Sequence, residues 1–575
     1  MIPNESRSAI RRPRRSPRSG WLLGPVLAVL AALAPAARGQ LPPTTRVSVD
    51  SSGAESDSLS WDPCMSMGGR FVAFTSGATN LIASDTNGDW DVFVHDHLTG
   101  VTECVSVDPS GATGNGRSAE YLSSVSISGD GNFVVFESRA TNLVSGTHLA
   151  GQIYLRDRSA GTTEIVSVDR FGGDGTPGSL SASVSSDGRY VAFSSWAYKL
   201  DSGDTNGKVD IFVRDRAAGT TQRVSLGISG KQANDNCSYP MISADGQAIA
   251  FTSIATNLVS SDTNSSDDVF VFDVSTQTIE RVSVDSSGAQ ANQGAGRCAI
   301  SSNGRYVAFE SPSSNLVAGD TNGSIDVFVH DRTTGVTERV SLDSSGGEGD
   351  DFSGSPSISA DGRFVAFESW ATNLVAGDTN VAADVFVRDR STGITTRVSV
   401  DSSGAEADGV SREPWISTDG AAVAFFSRAD DLIHGDSNGC EDIFVNDGDF
   451  ATWTNYGAGF PGTNGVPSFT SSGDPALGTT ITLDLANSCG QPTVGVVFAG
   501  VERATLHTNR GGDLLLLPLL AIPITFSYGG NQLPWSIPAD DALAGLTIAL
   551  QAVEADAGAA MGVSFTAGLE LAVGF

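Results

Sequence analysis

Ser355–Gly404 reads SPSISADGRFVAFESWATNLVAGDTNVAADVFVRDRSTGITTRVSVDSSG. Four short runs rich in β-branched and aromatic residues stand out: PSIS, RFVAFES, DVFVRDR and TTRVSVD, here called strands A to D. Turn chemistry separates them. Asp361-Gly362 lies between A and B, and such a pair suits a two-residue hairpin in which both turn positions take positive φ. Asp389 followed by the late Gly393 lies between C and D, which reads as an Asx-turn with a left-handed glycine.

The pattern returns along residues 60–450, and its period decides the architecture. The first residue of strand B recurs at Phe71, Phe133, Tyr190, Ala248, Tyr306, Phe364 and Ala422, the last five 58 residues apart. Four antiparallel strands repeated in this way predict an all-β chain with a seven-bladed β-propeller. The seventh copy stops after strand C, at Ile443 to Asp447, while an orphan strand D, Thr44 to Asp50, opens the repeat region. The N-terminal strand is therefore expected to complete the seventh blade and remove two open sheet edges. Strand D carries Arg46, Arg223, Arg281, Arg339 and Arg397, which suits an exposed outer edge.

The stretches SADGRFVAFES and VFVRDRSTG resemble the WD40-like (PD40) propeller repeats of TolB-type bacterial proteins, over roughly residues 44–450. The resemblance implies the propeller fold and leaves function open, because such repeats serve many roles.

A second signature, Asp-Thr/Ser-Asn-x-x-x-Asp, lies between strands B and C. It appears as Asp85, Asn87, Asp91; Asp204, Asn206, Asp210; Asp262, Asn264, Asp268; Asp320, Asn322, Asp326; Asp378, Asn380, Asp384; and Asp436, Asn438, Asp442. Oxygen donors at positions 1, 3 and 7 of a tight loop suit a hard cation, and Ca2+ is the expected ion. Asp and Asn also begin turns, so these residues equally suit a structural loop. The second repeat reads Gly146-Thr147-His148-Leu149-Ala150-Gly151-Gln152 and loses all three positions together. A shared ligand and a single deletion both account for that loss. By contrast, an aspartate ending strand C recurs in every copy (Asp96, Asp157, Asp215, Asp273, Asp331, Asp389, Asp447) and reads as architectural. Trp196 and Trp370 occupy equivalent positions after strand B and read as core residues, with stacking on sugars as the other possibility.

The 575-residue chain has net charge −32, which repels nucleic acid backbones and anionic lipids and attracts cations and basic partners. Residues 1–39 hold seven arginines against one acidic residue, then an apolar run from Trp21 to Ala37 and small residues to Gly39. That order reads as a secretory signal peptide, with a retained membrane anchor as the other possibility, and the protein is expected to be secreted, periplasmic or at the cell surface. No later apolar run is long enough to span a bilayer as a helix. Of the six cysteines, Cys237 and Cys298 fall in adjacent repeats and are a candidate disulfide. HExxH, GxSxG and P-loop motifs are absent from the sequence.

The expected domains are the signal peptide (1–39), the propeller (40–450) and a C-terminal β-sandwich-like domain (451–575). The last is read from runs such as Thr480 to Leu485 and Leu546 to Val553 divided by Gly and Pro. Its stretches YGAGFPGTNGVP and WSIPADDALAGLTIALQAVEAD resemble C-terminal modules of secreted planctomycete proteins, which implies export. The expected function is an exported, non-catalytic scaffold binding a protein or glycan partner, with calcium ordering its loops. The other reading is a carbohydrate-active enzyme, a polysaccharide lyase or hydrolase on the same scaffold.

Overall fold

The computed structural model describes residues 44–447, apart from 120–124, 147, 150 and 176–177, and beyond them the C-terminal strands with short flanks. The signal-peptide reading of 1–39 lies outside the described residues. The chain divides into two compact units, Gly39–Gly448 and one that contains Asp449–Phe575.

The first unit is all-β. Among the described residues it forms seven four-stranded antiparallel sheets, each built from strands A to D in order. In the sheet of Ser353–Ile358, Phe364–Ser369, Asp384–Asp389 and Ile394–Arg397, the pairing runs unbroken from Phe364↔Asp389 to Ser369↔Asp384. The seventh sheet takes its outer strand from the start of the chain: Thr44↔Asn446, Thr45↔Val445 and Arg46↔Phe444. Just beyond that strand, the Val47 N–H donates to the Ile443 carbonyl at 2.8 Å.

Strands B and C are apolar on both faces because each sheet is packed between two others. Their aromatics stack within each sheet, as in Phe309–Phe328 and Phe367–Phe386 at 5.9 Å between centroids. The Phe residues of these pairs are fully buried, and burying aromatics this large dominates core energetics. The inner strands surround a cavity of about 180 Å³. Met65, Ile127, Val184, Ile242, Ile300, Ile358 and Ile416, one from each sheet, line it. Backbone hydrogen bonds step from sheet to sheet at one end of the cavity. Met67 N–H donates to Gly129, Gly129 to Ser186 and Ser186 to Ala244, at 2.9–3.0 Å.

The A–B turn differs from the expected two-residue hairpin. Only its glycine takes positive φ (Gly362, 76°), and its N–H closes back onto the Ser359 carbonyl at 3.0 Å. The aspartate instead accepts the Arg363 N–H through its side chain at 2.9 Å, so Asp361 stays on the ordinary side of the map. The C–D turn follows expectation. Asp331 accepts the Thr333 N–H at 2.9 Å, and Gly335 has φ of 73°.

Cys237 and Cys298 are free thiols, each buried. They belong to different clusters between neighbouring sheets, one with Phe251 and Phe270, the other with Phe309 and Phe328. The candidate disulfide is thereby corrected.

In the second unit the described strands form three sheets. The six-stranded sheet follows the order Thr452–Tyr456, Gly568–Ala572, Thr547–Ala555, Thr493–Gly500, Leu520–Phe526, with Val563–Phe565 added beside Thr547–Ala555. The others have three strands and two. No helix among the described residues is long and apolar enough to cross a membrane.

Candidate functional site

The acidic loops are not open. In the fifth repeat, Arg339 Nη1 lies 3.4 Å from Asp320 Oδ1, 3.0 Å from Asp326 Oδ2 and 3.0 Å from Glu348 Oε2. In the sixth, Arg397 Nη1 lies 3.8 Å from Asp378, 3.2 Å from Asp384 and 2.6 Å from Glu406. Arg223 holds Asp204 and Asp210 at 3.6 and 3.2 Å, and Arg281 holds Asp262 and Asp268 at 3.7 and 3.4 Å. Across the chain ends, Arg46 holds Asp436 at 3.3 Å, Asp442 at 3.4 Å and Glu55 at 2.8 Å.

These arginine side chains are only 4–9% exposed. The expectation that they line a solvent-facing edge is therefore corrected: two carboxylates draw each one inward. The asparagine at loop position 3 completes the lock. Asn322 Nδ2 donates to Asp326 Oδ2 at 3.0 Å and to the Gly349 carbonyl at 2.9 Å. Burial raises the pKa of Asp320 and, with its carboxylate neighbours, brings Asp378 up to about 6 despite the arginine. Asp378, Asp384 and Glu406 have the carboxylate spacing of an ion cradle, and Arg397 already occupies it.

The second repeat dispenses with both charges. Gln152 replaces the last aspartate and Ile165 replaces the arginine. Gln152 Nε2 reaches the Gly175 carbonyl at 2.9 Å, taking over the bond that asparagine makes elsewhere. The first repeat keeps Asp85, Asn87 and Asp91 but has Cys104 at the arginine position. Asp91 there is fully buried, and burial raises its pKa to about 7. Neither the arginine lock nor its exceptions follow from the loop motif alone. The signal that finds them is register: Arg-Val-Ser in strand D of five repeats against Cys104-Val105-Ser106 in the first and Ile165-Val166-Ser167 in the second.

A different cluster breaks the repeat symmetry, at the end of the cavity nearest the B–C loops. A bulge in strand A places a non-glycine residue at positive φ in several sheets: Asp62 (56°), Tyr239 (53°), Ser355 (49°) and Glu413 (50°). Positive φ is uncommon for residues other than glycine and directs attention to the positions that carry it. Asp62, Arg297, Ser355 and Glu413 all line the cavity. Arg297 Nη1 lies 3.1 Å from Glu413 Oε1 and donates to Ser355 Oγ at 3.2 Å. Glu310 and Glu368 accept the backbone N–H groups of Ser355 and Glu413, each at 2.9 Å, from the preceding sheet. Burial raises the pKa of Glu368, while the hydrogen bond from Glu413 opposes the rise.

Trp196 is 44% exposed and Tyr239 41%, so the core reading of Trp196 is corrected. Trp370 is half-buried beneath the Arg412 guanidinium, 5.3 Å from its ring centre.

No family model matches the chain, and no curated protein matches it by sequence. Solved structures similar to it include a putative TolB from Agrobacterium tumefaciens (16% identity, 60% of this chain, 93% of that one, TM-score 0.32). Others are the RRP9 WD40 repeats (7% identity, 68% and 94%, TM-score 0.36) and KlAtg21 in complex with the coiled coil of AgAtg16 (12% identity, 63% and 93%, TM-score 0.31).

Proposed function

We propose that this chain is an exported, non-catalytic scaffold whose repeat unit is a seven-bladed propeller closed by its N-terminal strand. Its partner is a protein that inserts a basic side chain into the mouth of the axial cavity. The observation that carries this reading is the charge balance of the asymmetric cluster, where three carboxylates, Glu310, Glu368 and Glu413, meet the guanidinium groups of Arg297 and Arg412 and Asp62 lines the same cavity. A concave site with convergent polar groups is the usual form of a recognition site. The described groups of the cluster bind one another and hold the bulges in place, which suits recognition better than turnover. The C-terminal unit, whose described strands form three sheets, is proposed as a sandwich-like anchoring or sorting module.

The test is capture from an envelope extract by immobilised wild type and by Glu413→Gln and Trp370→Ala variants at two salt concentrations. A protein retained by wild type, lost from both variants and released by salt supports the reading. Equal retention by all three refutes it.

One observation favours the enzymatic alternative: this cluster has the asymmetry a single catalytic centre requires. Release of sugars from a polysaccharide panel by wild type, and loss of that release in Glu368→Gln, would establish a lyase or hydrolase instead.

A further inference from the structure

Six of the seven sheets carry the Asp…Asn…Asp loop, and five of those six neutralise it with a buried arginine. The second sheet, lacking the arginine, also lacks the paired aspartates. Buried carboxylates are costly unless compensated, and these sheets show two ways of meeting that cost: supply a guanidinium or remove the charges. The first sheet does neither.

There Asp91 is 0% exposed, with Oδ1 accepting from Ser106 at 2.5 Å and Oδ2 accepting from Asn87 Nδ2 at 2.6 Å. Asp85 Oδ1 is sealed from solvent and accepts no hydrogen bond. Cys104 stands where the arginine would be, and Thr113 where the five arginine-bearing sheets have Glu or Gln. The Cys104 thiol is held protonated by burial and by the charge of Asp91, with its Sγ 3.4 Å from Ser106 Oγ. It supplies no positive charge.

We propose that the first sheet's loop is a binding site for one hard cation, of the calcium class, seated between Asp85 and Asp91 where the other sheets hold an arginine nitrogen. Two observations carry this. The equivalent carboxylates bind a cationic nitrogen at 3.0–3.8 Å in five sister sheets of the same chain. In the first sheet that nitrogen is missing while the buried, unpartnered Asp85 oxygen remains. The two carboxylates offer oxygen donors, which suit Ca2+. The stoichiometry distinguishes this site from a general property of the loop motif: one ion per chain, not six.

The experiment uses the full chain, stripped with chelator, and Ca2+ alone as the probe. Calorimetric titration is expected to give one equivalent, and the thermal midpoint is expected to rise with Ca2+ and fall with chelator. Cys104→Arg rebuilds the sister arrangement. It should abolish binding and raise the midpoint of the chelated protein. Asp85→Asn should weaken binding by at least about tenfold, the range in which even indirect supports of a metal site act. Asp378→Asn, in an arginine-locked loop, should leave the stoichiometry at one. Absence of binding at millimolar Ca2+, about six equivalents, or full binding by Cys104→Arg would each overturn the proposal. The wild-type stoichiometry decides the matter even if a variant fails to fold.

Discussion

His97 Nε2 lies 3.0 Å from Asp447 Oδ2, although 350 positions separate the two residues. The contact joins the first sheet to the last strand of the seventh. Burial works to lower the His97 pKa, and the hydrogen bond and charge of Asp447 outweigh it, so the net shift is upward. A histidine raised in the folded state contributes stability that is full below its usual value near 6.5 and is lost as pH rises through the folded value. Denaturant unfolding of wild type between pH 6 and 9 should therefore show a fall that is smaller in Asp447→Asn, in which His148, raised by Asp174, still contributes. Asp447 is 43% exposed, so the difference should stay below about 1 kcal/mol.

Val47→Pro removes the N–H that reaches Ile443 across the chain ends. It should cost at least about 1 kcal/mol in denaturant unfolding. It should also free a strand edge, so light scattering is expected to detect association absent from wild type.

Arg339→Met leaves Asp320, Asp326 and Glu348 facing one another without a cation. The expected loss is about 3–5 kcal/mol, the range for breaking a buried pair by removing one partner. The second sheet indicates the remedy. Asp326→Gln combined with Arg339→Ile copies Gln152 and Ile165, and should recover part of that loss in a double-mutant cycle.

Trp196 and Phe309 should respond oppositely to truncation. Trp196→Ala is expected to leave stability within about 0.5 kcal/mol, because an exposed residue fills no core. Phe309→Ala should cost about 3–5 kcal/mol. Comparable losses from both would return Trp196 to the core.

Alkylation of the denatured protein without reductant should label both Cys237 and Cys298. A linked peptide pair would contradict the packing of these thiols in separate clusters.

The periodic features were the legible ones. Strands B and C repeat as RFVAFES-like and DVFVRDR-like runs, and their boundaries emerge almost residue for residue because burial on both faces leaves little latitude in composition. The pairing of Thr44–Arg46 with the last strand C was legible from a missing strand and a surplus one. The arginines were misread because strand D looked like an edge. What turns Arg339 inward is a carboxylate pair contributed by a different segment, which local alternation does not register. The cavity-mouth cluster was invisible for a related reason. Arg297 and Glu413 are 116 positions apart, and only the bulges in the inner strands bring them together. Likewise the turn geometry at Asp361-Gly362 depended on a side-chain acceptor that the Asp-Gly pair alone does not specify.

The pairing of Thr44–Arg46 with Asp442–Asp447 bears on how the molecule is made. During synthesis the first strand emerges hundreds of residues before its partner, and Asn446 Nδ2 bonds to a Thr44 Oγ1 that lies 402 positions earlier. Six sheets can assemble from local hairpins while that strand waits. Contacts of such sequence separation form slowly, and the waiting edge is exposed to other chains. Completion of the seventh sheet is thus the step at which a folding chaperone, or crowding by sister chains, has the most influence on yield.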